Sequence, residues 1–224
     1  MIQDVFATGL SDGLLGLGFS NINQVRPTQV PTFMDNVASS LPEDLFTVDL
    51  KAGAPGQYDF GFIDPAKYVG EIAYAPVNSS RGYWGFNMDS FAIGAAAAPT
   101  PFSAASMYTI ADTGTSINWL PTSLVTQYYN TIEGAAYSDT WGGMTFPCDA
   151  VLPDLTLYIG GQPRVMPGKF ANYAPLNDGS GLCFGGIQDG SSSPGFSILG
   201  DSFLKSQFVV FDRKVPQVGF AAQE

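Results

Sequence analysis

Asp112 lies in IADTGTSINWLP (residues 110–121), a single carboxylate in a frame of apolar and hydroxyl-bearing residues. Withdrawing a carboxylate from water is costly unless hydrogen bonds satisfy it or a reaction uses it. The neighbours suit both purposes. Thr113 and Thr115 carry short hydroxyl donors that can orient the carboxylate, and Gly114 lets backbone approach it closely. Held in this way, a carboxylate can take a proton from a reacting water or return one. Competing chemistries are few. The chain has no His, which removes Ser-His-Asp and Cys-His nucleophilic sites and His-containing zinc sites. No GxxxxGK[ST] phosphate loop occurs, and GLGF (16–19) lacks the rest of a dinucleotide fingerprint. For a hydrolase, carboxylates are the groups left to do the work, with no metal or organic cofactor indicated.

Charge narrows the partners. Nine Lys and Arg against twenty Asp and Glu give a net charge of −11, which argues against a nucleic-acid backbone as ligand. The acidity fits either simple solubility or an acidic workplace, where protonation relieves carboxylate repulsion. No run approaches the roughly 20 apolar residues of a membrane span. Cys148 and Cys183 stand 35 positions apart. With no His and no nearby thiol, a disulfide is favoured over a metal or redox site. Closing a loop of that size stabilises by roughly 3.5–4 kcal/mol in the chain-entropy model, and it implies an oxidising compartment. Asn78-Ser79-Ser80 is a glycosylation sequon. MIQDVFATGLSDGLL has no basic start, an early Asp4 and no long apolar core, so it does not read as a signal peptide. The expectation is therefore a piece of a secreted protein.

The elements that must position Asp112 are mostly strands. Alternating, β-branched runs at LFTVDL (45–50), YDFGFI (58–63), EIAYAPV (71–77), YWGFNMDSFAIG (83–94), SMYTIADTG (106–114), DLTLYIGG (154–161) and QFVVFD (207–212) read as strands. Turn clusters such as AGAPGQ, APTP, NDGSG and DGSSSPG separate them. Helical signals are short: Thr32 to Ala38, Ser123 to Thr131 behind Pro121-Thr122, and SFLKS (202–206). A weak internal echo links Leu14-Leu15-Gly16 in SDGLLGLGF (11–19) with Ile198-Leu199-Gly200 in SILGDSFL (197–204).

These motifs resemble one family. DTGTS (112–116), after Ile110-Ala111 and before Leu120-Pro121, is similar to the second active-site loop of pepsin-like aspartic endopeptidases. ILGDSFL (198–204) followed by FVVFDRKVPQVGFA (208–221) resembles their C-terminal signature. DGLLGLGFS, FGFIDPAKYVGEIAYAPV and YWGFNMDSFAIG resemble consecutive pieces of fungal secreted members, and the Cys148–Cys183 spacing fits their C-terminal-lobe disulfide. The resemblance covers nearly the whole chain. It implies a mainly β, pepsin-like acid protease fold with an intact C-terminal lobe (81–224), beside a remnant (1–80) of the N-terminal lobe and inter-lobe sheet. It also implies peptide hydrolysis at acidic pH by a water held between two Asp residues sharing one proton, the standing example of like charges splitting their pKa values.

Here Asp112 would be catalytic. Thr113, Gly114, Thr115, Ile198, Leu199 and Gly200 would support its loop. Ile110 and Ser116 would contact the peptide or protein substrate, with Ile198 a further pocket wall and Tyr83 at the cleft edge. The family carries two Asp-Thr-Gly loops and this chain carries one. Asp112 and Gly200 are 88 positions apart (112 to 200). The same spacing before Gly16 puts the partner loop about seventy residues ahead of Met1, and the flap goes with it. Asp12, Asp178 and Asp189 precede Gly without the apolar frame, and Asp201 reads as a turn residue, so none replaces the partner. Phe33, Phe46, Phe60 and Phe62 in the remnant should seek cover on a second chain or by rearrangement. Two alternatives keep the scaffold: a retropepsin-like homodimer pairing two copies of Asp112, and a catalytically silent peptide-binding or inhibitor module.

Overall fold

The computed structural model describes residues 13–94, 98–103, 107–191 and 195–224. It is built from β-sheet with short helical turns. One antiparallel sheet of five strands runs in the order Gln57–Phe60, Leu45–Asp49, Gln207–Asp212, Gln217–Gln223, Tyr68–Pro76. Three of its strands come from the first 80 residues and two from the C-terminus. Its central strand QFVVFD is buried along nearly its whole length because both faces are covered. On one face, Phe46 stacks on Phe211 at 4.6 Å between ring centroids, and Trp84 meets both edge-on. Such pairs add about 0.5–1.5 kcal/mol each beyond the area they bury. On the other face Leu45, Phe208 and Val210 pack with Ile63, Tyr68, Ile72 and Tyr74.

A second five-stranded sheet has the order Ile187–Asp189, Asn118–Leu120, Ser197–Leu199, Tyr108–Ala111, Gly85–Asn87. Among the described residues there are also two four-stranded sheets: Asn172–Pro175, Leu182–Gly185, Gly143–Pro147, Ala136–Ser138, and Gln162–Met166, Leu155–Ile159, Ser90–Ile93, Thr100–Pro101. The hairpin Leu155–Met166 turns at Gly160 and Gly161, whose φ values of 59° and 73° are those of a primed two-residue turn. No other residue type takes both positions without strain.

The expected strands are present with adjusted ends. YDFGFI stops at Phe60, because Gly61 takes φ 86° and turns the chain away. YWGFNMDSFAIG divides into Gly85–Asn87 and Ser90–Ile93, which join different sheets through Met88 and Asp89. The three expected helical segments fall at Phe33–Val37, Thr122–Tyr129 and Asp201–Leu204. The first carries a capping box between Thr32 and Asp35. Of the aromatic residues expected to lack cover, Phe46 is 2% exposed, whereas Phe33 and Phe62 stay open at 40% and 47%. Phe60 finds partial cover against Phe33 and Phe46. Residues 11, 12 and 106, including Asp12, lie outside the described residues.

Candidate functional site

The strand Tyr108–Ala111 delivers Asp112 into a turn, and the chain returns as Asn118–Leu120. Ser197–Leu199 lies between these two strands, parallel to the first and antiparallel to the second, with Ile198 opposite both Ile110 and Trp119. The sheet therefore grips the turn from behind. The Asp112 N–H donates to the Leu199 carbonyl at 3.0 Å, and the N–H groups of Asp201 and Ser202 donate to the Thr115 and Ser116 carbonyls at 2.8 and 3.0 Å. Gly200 is where the two segments touch. A Cβ there would sit 2.4 Å from the carbonyl oxygens of both Thr115 and Ile117, so the Ile-Leu-Gly pattern needs its glycine. Asn118, fully buried, adds a polar clasp. Its Oδ1 accepts the Gly200 N–H at 3.0 Å and its Nδ2 donates to the Gly186 carbonyl at 3.2 Å.

The carboxylate itself is held at both oxygens. Oδ1 accepts the Gly114 N–H at 2.9 Å, and Oδ2 accepts the Thr115 hydroxyl at 2.6 Å, the short geometry of a charge-assisted bond. Thr113 does not turn to Asp112. Its side chain pairs with the Tyr58 hydroxyl, and burial raises the Tyr58 pKa, Thr113 opposing while the charges of Asp201 and Asp112 add to the rise. Asp201 begins the helical turn behind the loop, with one carboxylate oxygen buried and unpaired. Burial raises its pKa, the Lys205 charge opposes and the Asp112 charge reinforces.

A cavity of 410 Å³ opens over this loop, lined among others by Asp112, Ile110, Tyr83, Tyr58, Leu14 and Leu15. Of the residues singled out in the sequence, Asp112, Thr113, Gly114, Ile110 and Tyr83 line it together. Thr115, Ser116, Ile198, Leu199 and Gly200 do not. Thr115, Leu199 and Gly200 sit behind the carboxylate, Ile198 is half-buried in the sheet, and Ser116 is exposed with its carbonyl tied to Ser202. The floor is aromatic: Phe46, Trp84 and Phe211. The Trp84 indole N–H donates to the Leu17 carbonyl at 2.8 Å, which fastens the Leu-Leu-Gly segment at the rim. Asp178 sits in a bend and accepts from Ser180, and Asp189 ends the strand Ile187–Asp189 and accepts from Thr122 and Ser191, both away from the cavity.

Sequence reasoning missed Tyr58 and Asn118. Asn118 had a signal, an amide inside the apolar SINWL run. Tyr58 had none, because its link to Thr113 spans 55 positions (58 to 113) and depends on which face of its strand meets the loop.

Cys148 and Cys183 form a disulfide with Cα atoms 5.0 Å apart, tying the end of Gly143–Pro147 to its neighbour Leu182–Gly185. Among the described residues no helix is long and apolar enough to cross a membrane.

The profile of the family "eukaryotic aspartyl protease" matches residues 2–223. Aspergillopepsin-1 of Aspergillus clavatus is 51% identical over 213 residues, covering 95% of this chain and 53% of that protein. Penicillopepsin-3 of Penicillium janthinellum is 48% identical over 222 residues, covering 99% and 55%. The crystal structure of an aspartic proteinase from Irpex lacteus superimposes with a TM-score of 0.77 at 24% identity, covering 95% of this chain and 68% of that one, which shows the shared fold. The chain belongs to the eukaryotic aspartyl protease family. It spans about half the length of the curated relatives it matches.

Proposed function

We propose that this chain is the Asp112-bearing part of an aspartic endopeptidase that hydrolyses peptide or protein substrates at acidic pH. The observation carrying this reading is the Asp112 carboxylate, bonded at both oxygens and facing an apolar cavity. In the reaction a second carboxylate shares one proton with Asp112 and the two hold a water between them. One ionised carboxylate draws a proton from the water as it attacks the carbonyl carbon, and the protonated one donates to the carbonyl oxygen. The hydroxyl of Thr115 and the N–H of Gly114 fix where Asp112 points.

The relatives are nearly twice as long as the matched segment. That favours a second Asp loop elsewhere in one longer chain over pairing two copies of Asp112. Residues 1–80 then belong to the first lobe and the inter-lobe sheet, and 81–224 to the second lobe. The disulfide and the fungal relatives support a secreted protein. Ile110 offers apolar wall to a substrate side chain, and Tyr83 stands at the cavity edge.

The test joins this chain to the N-terminal part of the A. clavatus relative that lies outside the match and assays peptides at pH 3–4. Cleavage between apolar residues is expected. An inactive but folded joined protein, beside an active parent relative, would contradict the reading.

A further inference from the structure

We propose that Asn78 is an N-glycosylation site, occupied through its side-chain nitrogen by a solvent-facing oligosaccharide. The inference rests on reading the chain as part of an exported protein, and not on catalysis. Asn78-Ser79-Ser80 is the chain's one Asn-X-Ser/Thr triplet, but a triplet alone is weak, and the loop supplies the argument.

Asn78 caps the short 3-10 turn Ser79–Arg81. Its Oδ1 accepts the Ser80 N–H at 3.1 Å, forming an Asx turn that closes the triplet on itself. Accepting that bond draws electron density from the carboxamide and makes its N–H more acidic. Several backbone groups around it are engaged. The Asn78 N–H donates to the Gly85 carbonyl at 2.7 Å, and Gly82 donates back to Ser79 at 2.9 Å. Asn21 reaches across to the Ser79 and Ser80 carbonyls. Nothing among the described residues takes the Asn78 Nδ2; the amides of Asn21, Asn23, Asn36, Asn118 and Asn177 donate, and Asn87, Asn130 and Asn172, which like Asn78 do not, begin no such triplet. Asn78 and Ser80 are both exposed. The loop therefore keeps its shape through the atoms that a sugar leaves alone, and turns outward the nitrogen that a sugar needs.

The transfer is a substitution at the anomeric carbon of a lipid-pyrophosphate-linked oligosaccharide. A C1–Nδ2 bond forms, the bond from C1 to the pyrophosphate oxygen breaks, the lipid pyrophosphate leaves, and Nδ2 gives one proton to a base. No oxidant is involved.

The experiment translates the whole chain behind a cleavable leader in the presence of microsomes, then repeats it by secretion from yeast. The expected result is an upward shift of one glycan, collapsed by endoglycosidase, lost in Asn78→Gln and in Ser80→Ala, and kept in Ser80→Thr. Because transfer in microsomes does not wait for complete folding, a poorly folding variant is still scored. A protease-protected chain without the shift would overturn the proposal, as would a shift that survives Asn78→Gln. Glycosylated and trimmed secreted forms should unfold at the same urea concentration. A lower midpoint for the glycosylated form would overturn the outward placement. Carbohydrate rather than cleavage is scored, so failure here leaves the protease reading untouched.

Discussion

Gly200→Ala isolates the contact on which the Asp112 loop depends. The new Cβ would lie 2.4 Å from two backbone oxygens, those of Thr115 and Ile117, where contacts under 3.0 Å are essentially never found. Neither oxygen is the loose end of a side chain. The Thr115 carbonyl already accepts the Asp201 N–H at 2.8 Å, and the Gly200 N–H is held by Asn118 at 3.0 Å. Relief therefore requires the strand and the loop to separate and weakens those bonds. Overpacking of this kind costs about 1–3 kcal/mol, and one or two weakened buried hydrogen bonds add about 1 kcal/mol each. The expected loss is about 2–5 kcal/mol, or roughly 4–20 °C in Tm for a chain of this size. That is a large share of a total near 5–15 kcal/mol. Urea unfolding followed by Trp fluorescence measures it, with Gly16→Ala as comparator. A Cβ at Gly16 meets nothing within 4 Å, and that variant should stay within about 0.5 kcal/mol of wild type. If Gly200→Ala unfolds at the wild-type midpoint, the strand does not clamp the loop as described.

Other expectations follow from the same geometry. Asn118→Ala leaves the Gly200 N–H without its partner in a buried place and should cost about 1–3 kcal/mol by urea unfolding. Replacing both cysteines with Ala removes the Cys148–Cys183 link and should cost about 2–5 kcal/mol in the same assay. Two carboxylates should respond to pH in opposite senses. Burial pushes the Asp35 pKa up, but hydrogen bonds from Thr32 and the paired Arg213 outweigh it and the net shift is down. Its stabilisation is thus present above the ordinary carboxylate range and fades as pH falls through the folded value. The Asp201 pKa is raised, so its ionisation costs stability as pH rises through the folded value. In Tm against pH, Asp35→Asn should lose most near neutrality and converge with wild type in acid. Asp201→Asn should gain near neutrality and converge in acid.

The Asp112 motif was legible because its interactions are local. An Asp flanked by two Thr and a Gly announces a satisfied carboxylate, and Thr115 and Gly114 do bond to it. Apolar, β-branched runs such as QFVVFD were legible for the same reason. Three-residue strands were not: Asn118–Leu120, Ile187–Asp189 and Ser197–Leu199 are too short for any period to show, and they exist because the sheet around Asp112 supplies their partners. Thr113 illustrates the limit within the motif itself. Its type suggested a donor to Asp112, yet its partner is Tyr58 on another sheet. The assignment of Ser116 and Ile198 to a substrate-facing wall came from resemblance, and here both lie off the cavity.

The most direct test of the central claim is the Asp112→Asn substitution in the protein rejoined to the relative's N-terminal part, with kcat/KM for a peptide measured at pH 3–4. Asn keeps the shape and the hydrogen bond to Oδ1 but cannot exchange a proton with the water. The account predicts a loss of at least about 10²–10⁴-fold, with unchanged folding. A variant that cleaves within a factor of a few of wild type would show that Asp112 is not one of the two working carboxylates.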